Sequence, residues 1–354
     1  MTGQKTPAAL GYQMPAEWEP HEATWLAWPH NRNDWPGKFQ TIPWVYADIV
    51  WHLSRVEKVC LLVRNETVEA TAHRCLTRRG VDLSRVEFHT VETDRVWMRD
   101  SGPIFVRNGA GAVAMLDWHF NAWAKYDNRN ADDAIPSRLN EWLGLRAWQP
   151  MVGRHRVVLE GGSIDVNGAG LLLTTEECLL SPIQARNPEL SRKQIETALR
   201  DYLGVREVLW LDRGITGDDT HGHVDDLARF VDEHTVVTVI EPNRDDPNHE
   251  PLEENLRRLK GMANLAGRPL EVVTLPMPAP LFFRKQRLPA SYANFYIAND
   301  LVLVPTFNDP ADRVALGVLA DLFPGRSVVG IHCGDLVWGL GTLHCMSQQQ
   351  PASL

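Results

Sequence analysis

Long apolar runs are missing from this sequence. No stretch approaches the length a membrane span requires, and residues 1–20 hold no apolar core of signal-peptide length. No membrane partner is expected. Cysteine is sparse, with Cys60, Cys75, Cys178, Cys333 and Cys345 at irregular spacing. The number is odd and no CxxC pair occurs, which predicts neither a zinc ribbon nor a disulfide framework. Reduced thiols in a cytoplasmic compartment are the simpler reading. Positive charge is not in excess either: 36 Lys and Arg stand against 45 Asp and Glu, a net charge of −9. That balance argues against a nucleic-acid partner and suits a small cationic substrate.

What is present is a chain of 354 residues, 44% hydrophobic, with 13 Trp. The polar, turn-rich segment 1–20 reads as an arm over the surface. Beyond it a pattern of strand, strand, helix and strand recurs. The paired strands fall at Ile104–Val106 with Ala112–Asp117, Ser163–Val166 with Gly170–Thr174, Leu227–Val231 with Thr235–Ile240, and Asn294–Ile297 with Leu301–Val304. Helices are expected at 133–144, 191–203, 253–266 and 310–323, and closing strands at 157–159, 207–211, 270–275 and 327–331. Near-equal spacing of like units marks a repeat architecture. A fifth unit is assembled from both chain ends, with Leu343–Met346 joining Thr24–Trp28, a helix over 43–56 and a strand at Lys58–Val63. The expectation is a single α/β domain over 1–354: a five-bladed α/β propeller of ββαβ units closed into a ring. The alternative is an ordinary mixed α/β sandwich.

In a radial array the leading ends of the first strands face the axis, so the residues just before them carry the interest. They are polar. In order they are Trp97-Met98-Arg99-Asp100-Ser101-Gly102-Pro103, Leu159-Glu160-Gly161-Gly162-Ser163, Gly217-Asp218-Asp219-Thr220-His221-Gly222-His223-Val224-Asp225-Asp226, Pro289–Asn294, and the stretch ending in His344-Cys345. Asp100 alone reads as a turn cap. Glu160 precedes two glycines that permit close approach of a ligand. His223 and Asp225, two apart, share a side of an extended segment, with His221 as a rival to His223. Asp218 and Asp219 read as solvated turn charges. A thiol needs deprotonation before it attacks, and Cys345 is the thiol presented at a junction.

Together these groups admit several chemistries. His and carboxylates bind metals, though no tight ligand spacing such as HExxH occurs. Cys345 and His223 would suit a cysteine protease, but three carboxylates would repel an oxyanion. The same carboxylates suit a guanidinium, whose five donors form a fixed fork.

The four motifs around Asp100, Glu160, His223 and Cys345, in this order and nearly spanning the chain, resemble the agmatine deiminases and the related bacterial peptidylarginine deiminases of the pentein superfamily. So does Met14-Pro15-Ala16-Glu17-Trp18-Glu19-Pro20-His21 near the start. The resemblance implies a five-bladed propeller and no cofactor or metal. It implies Cys345 as nucleophile, His223 as general acid and base, and Asp100, Asp225 and Glu160 as carboxylates around the guanidinium. Trp97 and Asn294 are implied as pocket residues. Agmatine is the implied substrate, with free or peptidyl arginine as the alternative and a silent guanidinium-binding protein as a third reading. A homo-oligomer is compatible with all of these.

Overall fold

Five sheets share one recipe in the computed structural model, which describes residues 5–354. In each, an antiparallel pair is extended by a parallel strand reached through a helix. Ile104–Asn108 pairs Val113–Leu116, and the helix Ile135–Leu143 leads to the parallel strand Arg146–Trp148. Asp165–Val166 pairs Leu171–Thr175, followed by Arg192–Leu203 and Glu207–Leu211. Ala228–Phe230 pairs Thr235–Ile240, followed by His249–Lys260 and Glu271–Pro276. Tyr296–Ile297 pairs Leu301–Thr306, followed by Pro310–Leu322 and Ser327–His332. The central strands, paired on both edges, are the apolar ones, as strands covered on both faces must be. Thr235–Ile240 and Leu301–Thr306, for example, are buried almost end to end.

The fifth sheet joins the two ends of the chain. Gln348–Pro351 pairs antiparallel with His21–Ala27, which continues in parallel to Lys58–Val63 and Val86–Thr90. The strand expected at Leu343–Met346 is therefore displaced. Residues 343–346 form a turn and the strand begins at Gln348. The reason is local: Ser347 Oγ donates to Leu343 O at 2.8 Å and Met346 N to Thr342 O at 3.3 Å, so the backbone around Cys345 is curled, not extended.

Two further expectations are corrected. The closing strand of the first repeat is Arg146–Trp148, and Val157–Leu159 contributes only an isolated bridge between Val158 and His119. Both segments are short and apolar, and periodicity cannot rank such runs. The segment read as a surface arm is built into the molecule from Tyr12 onward. Tyr12–Gln13 adds a strand to the first sheet, and Met14, Ala16 and Glu17 are buried. Residues 1–4 of that arm lie outside the described residues. No helix is long and apolar enough to cross a membrane among the described residues.

Candidate active site

Each candidate side chain stands on an irregular turn just ahead of a strand. Asp100 sits in the one-turn helix Met98–Ser101, with Trp97 as its cap residue. Glu160 precedes the 3-10 turn Gly161–Ser163, and His223 precedes the 3-10 turn Val224–Asp226 that carries Asp225. Such turns aim side chains off the sheet ends while the strands hold their bases. The sharing of one side by His223 and Asp225 therefore comes from a turn and not from extended backbone.

The groups converge. His223 Nδ1 lies 3.7 Å from Asp100 Oδ1 and 4.0 Å from Asp225 Oδ1, and its Nε2 lies 3.9 Å from Glu160 Oε2. Cys345 Sγ lies 3.7 Å from Asp225 Oδ2, and Asn294 Nδ2 donates to the sulfur at 3.0 Å. Asn294 also ties down the turn that carries Cys345, since its Oδ1 accepts from Thr342 Oγ1 at 2.7 Å and from His344 N at 3.0 Å. Gly162 marks the point of convergence. A Cβ there would lie 2.5 Å from His223 Nδ1, 2.8 Å from Asp100 Oδ1 and 3.1 Å from Asp225 Oδ2.

A cavity of about 400 Å³ opens onto Cys345, Asp100 and Trp97. His223, Glu160 and Asp225 are each no more than 1% exposed and sit behind that wall. Both ring nitrogens of His223, Glu160 Oε2 and Asp225 Oδ1 are buried with no hydrogen-bond partner among the described residues. Buried polar atoms are nearly always paired. Four orphans gathered at one imidazole therefore describe a site shaped for a polar ligand.

Several residues that support this site were not singled out from sequence. Arg186 Nε donates to Glu160 Oε1 at 3.0 Å. Trp123 Nε1 donates to Asp100 Oδ2 at 2.9 Å. His344 bridges Asp225 Oδ2 at 2.7 Å and Glu17 Oε2 at 2.8 Å. His344 and Glu17 stand inside the family-like motifs and were legible there as polar residues without a role. Arg186 and Trp123 lie in stretches with no periodicity to flag them. Asp219 is not a solvated turn charge, since it accepts from Tyr126 Oη at 2.6 Å and pairs with Lys125. Nor is Asp218, whose carboxylate caps Thr220, Gly222 and His223 backbone N–H groups. His221 turns away, with Nε2 3.1 Å from Ser181 Oγ.

The electrostatics separate the groups. Burial pushes Asp100 up to about 6, with Asp225 and Glu160 adding to the effect and His223 opposing it. Burial acts to raise Glu160 as well, but the Arg186 guanidinium and His223 override it and hold the carboxyl at about 2. Burial disfavours the charged form of His223, yet Asp100, the Cys178 sulfur and Glu160 outweigh it and its pKa lies well above the ordinary histidine value. Burial, then the charges of Asp225, Asp226 and Asp100, hold the Cys345 thiol well above the ordinary cysteine value. Of three sets of potential metal ligands that cluster within 4.8 Å among the described residues, two lie here, Glu160 with Cys178 and His223, and Asp225 with Asp226 and Cys345. The Arg186 charge on Glu160 works against a cation in the first set.

Known proteins resemble this chain along nearly its whole length. The profile of the Porphyromonas-type peptidyl-arginine deiminase family matches residues 13–351. An agmatine deiminase of Pseudomonas aeruginosa (strain LESB58) is 36% identical over 98% of this chain and 97% of its own length. The structure of the agmatine deiminase of Enterococcus faecalis superposes with a TM-score of 0.90 at 32% identity, covering 100% of this chain and 99% of that one. A substrate-bound agmatine deiminase of C. jejuni gives a TM-score of 0.85 at 31% identity over 97% of each chain. A chain matched over this length, by a family profile and by relatives above 30% identity, belongs to the Porphyromonas-type peptidyl-arginine deiminase family.

Proposed function

We propose that this protein is a guanidine deiminase that hydrolyses agmatine to N-carbamoylputrescine and ammonia. The observation that carries the proposal is the set of orphaned buried atoms at His223, namely its two ring nitrogens, Glu160 Oε2 and Asp225 Oδ1, with the other Asp225 oxygen 3.7 Å from Cys345 Sγ. A planar guanidinium presents its N–H donors to carboxylates in a fixed fork. Its relatives named as agmatine deiminases support the choice of substrate.

The steps follow from the electrostatics. Burial and the surrounding carboxylates keep Cys345 a thiol in the free enzyme. An arriving guanidinium offsets their charge, so the thiol proton leaves to solvent as the substrate binds. Asp100, Asp225 and Glu160 fix the guanidinium with its carbon against the sulfur, an orientation effect that reaches ~7–11 kcal/mol in favourable cases. The thiolate attacks, forming the S–C bond. Protonated His223 gives its proton to one nitrogen, the C–N bond breaks, and ammonia leaves a thiouronium on Cys345. Water then attacks that carbon and His223 takes its proton. The S–C bond breaks, the hydroxyl proton leaves with the sulfur as thiol, and the ureido product is released. No step requires a cofactor or metal.

The finer architecture belongs to the same proposal. The five sheets are read as blades of one α/β propeller domain, with the junction turns gathered at the axis and the two chain ends sharing a blade. Five reduced, buried cysteines fit a cytoplasmic enzyme. A second reading, action on free or peptidyl arginine, is favoured by Arg95, a cation lining the same cavity. The test is ammonia release from agmatine, free arginine and a blocked arginyl peptide, measured side by side. Turnover of agmatine above both others is expected, and turnover of the peptide alone would overturn the assignment.

A further inference from the structure

Away from the nucleophile, three charged side chains line the cavity: Asp34, Arg95 and Asp219. Two are already engaged. Arg95 donates to Asn128 O at 2.8 Å and to Asn128 Oδ1 at 2.9 Å, and its guanidinium lies over the Tyr126 ring at 4.4 Å. Asp219 has one oxygen on Tyr126 and the other on Lys125. Asp34 differs. Its Oδ1 accepts from Asn31 Nδ2 at 3.1 Å, while its Oδ2 is enclosed and has no partner among the described residues.

Asp34 is also held at a defined place. The next residue, Trp35, is fully buried, donates from Nε1 to Leu336 O at 2.9 Å, and packs on Trp97 with ring centroids 5.8 Å apart. Trp97 in turn abuts the nucleophile's turn, since a Cβ on Gly341 would lie 2.8 Å from the Trp97 ring and 3.1 Å from Cys345 Cβ. One aromatic wall thus runs from Asp34 to the thiol, along a cavity large enough for a short alkyl chain. Burial raises the Asp34 carboxyl to about 7 against the lowering effect of Arg95.

We infer that Asp34 is the specificity residue for the far end of the substrate: its unpaired Oδ2 binds the terminal ammonium of a guanidinoalkylamine whose guanidinium is held at Cys345. This inference rests on the deiminase reading and adds to it the residue that selects an α,ω-dication. An arginyl peptide, which has no ammonium at that position, would leave Oδ2 buried and unpaired.

The test compares agmatine with butylguanidine, which has the same chain and no amine, on the wild type, Asp34→Asn and Asp219→Asn. A charge-assisted bond of this kind is worth roughly ten- to a hundredfold in affinity. Asp34→Asn is expected to raise KM for agmatine by roughly that factor with little change in kcat. On butylguanidine it should leave kcat/KM unchanged, and this second substrate also reports whether the variant folds. Equal losses on both substrates, no loss on agmatine, or a selective loss in Asp219→Asn instead would each overturn the assignment. If the wild type released ammonia from neither compound, the deiminase reading itself would fall. Wild-type turnover with an unaffected Asp34→Asn would fault Asp34 alone.

Discussion

At the scale of single residues, Gly162 decides whether the site can exist. Its α-carbon faces the space in which His223, Asp100 and Asp225 meet, and the nearest of them would lie 2.5 Å from an added Cβ. Gly162→Ala should therefore displace the imidazole and lower kcat/KM by roughly a hundredfold or more, as misplacement by an ångström does. Its unfolding midpoint in urea should move little, and equal loss of stability and activity would argue against the positioning role. The thiol gives a second residue-scale prediction. Cys345 is held above the ordinary cysteine value by burial and by three carboxylates. Its thiolate should therefore be scarce at neutral pH in the free enzyme. Alkylation of Cys345 by iodoacetamide, followed by mass spectrometry, should be slow at pH 7 and should still be rising beyond pH 9. Fast, pH-independent alkylation near neutrality would show a thiolate already formed.

At the scale of elements, the turns matter more than the strands they precede. The repeated strand pairs were legible because Asn108-Gly109 and Asn167-Gly168 separate two apolar runs, a strong hairpin signal. Helix Pro310–Leu322 was legible from its proline start and the Asp309 cap. The helix expected at 253–266 begins instead at His249 and ends at Lys260. Pro251 lies in its first turn, where proline is tolerated, so the residue did not mark a boundary. The strand Arg146–Trp148 was missed because three residues give no period to read. Arg186 was missed for a different reason. It lies in the irregular stretch between Leu180 and Arg192, and its partners, Glu160 26 residues earlier and the Thr220 carbonyl 34 residues later, are set only by the fold. Its pair with Glu160 carries a prediction. Both side chains are fully buried, and removing one partner of a buried pair costs about 3–5 kcal/mol. Arg186→Met should show that loss in urea unfolding at pH 7. Glu160 is held at about 2 in the fold, below its ordinary value, by charges that override burial. Its contribution is present above about pH 4.5 and is lost as pH falls toward 2. The difference between wild type and variant should therefore shrink across that window, and a constant difference would contradict the pairing account.

At the scale of the whole molecule, the fold brings residues from distant parts of the chain to one place. Cys345 is 245 positions from Asp100, yet Arg99 N donates to Cys345 O at 3.1 Å. The first sheet strand of the chain, Tyr12–Gln13, lies against Ile104–Asn108, and the last, Gln348–Pro351, against His21–Ala27. Glu17 shows what the sequence could not reveal. From an apparently polar arm it reaches Arg99, Arg229 and His344, and through His344 it reaches Asp225. The membership of the site was legible in four motifs. The layer that holds it becomes visible only in the fold: Arg186 and Trp123 through contacts across neighbouring turns, His344 and Glu17 through the meeting of the chain ends. The account stands on Cys345 attacking a guanidinium carbon, and a rival thiol is present, since Cys178 lies within 4.8 Å of His223 and Glu160. The most direct measurement is acid quenching of the enzyme during agmatine turnover, followed by peptide mass spectrometry. A mass increase equal to agmatine less ammonia is expected on the peptide bearing Cys345. Turnover with that peptide unmodified, or with the adduct on Cys178, would contradict it.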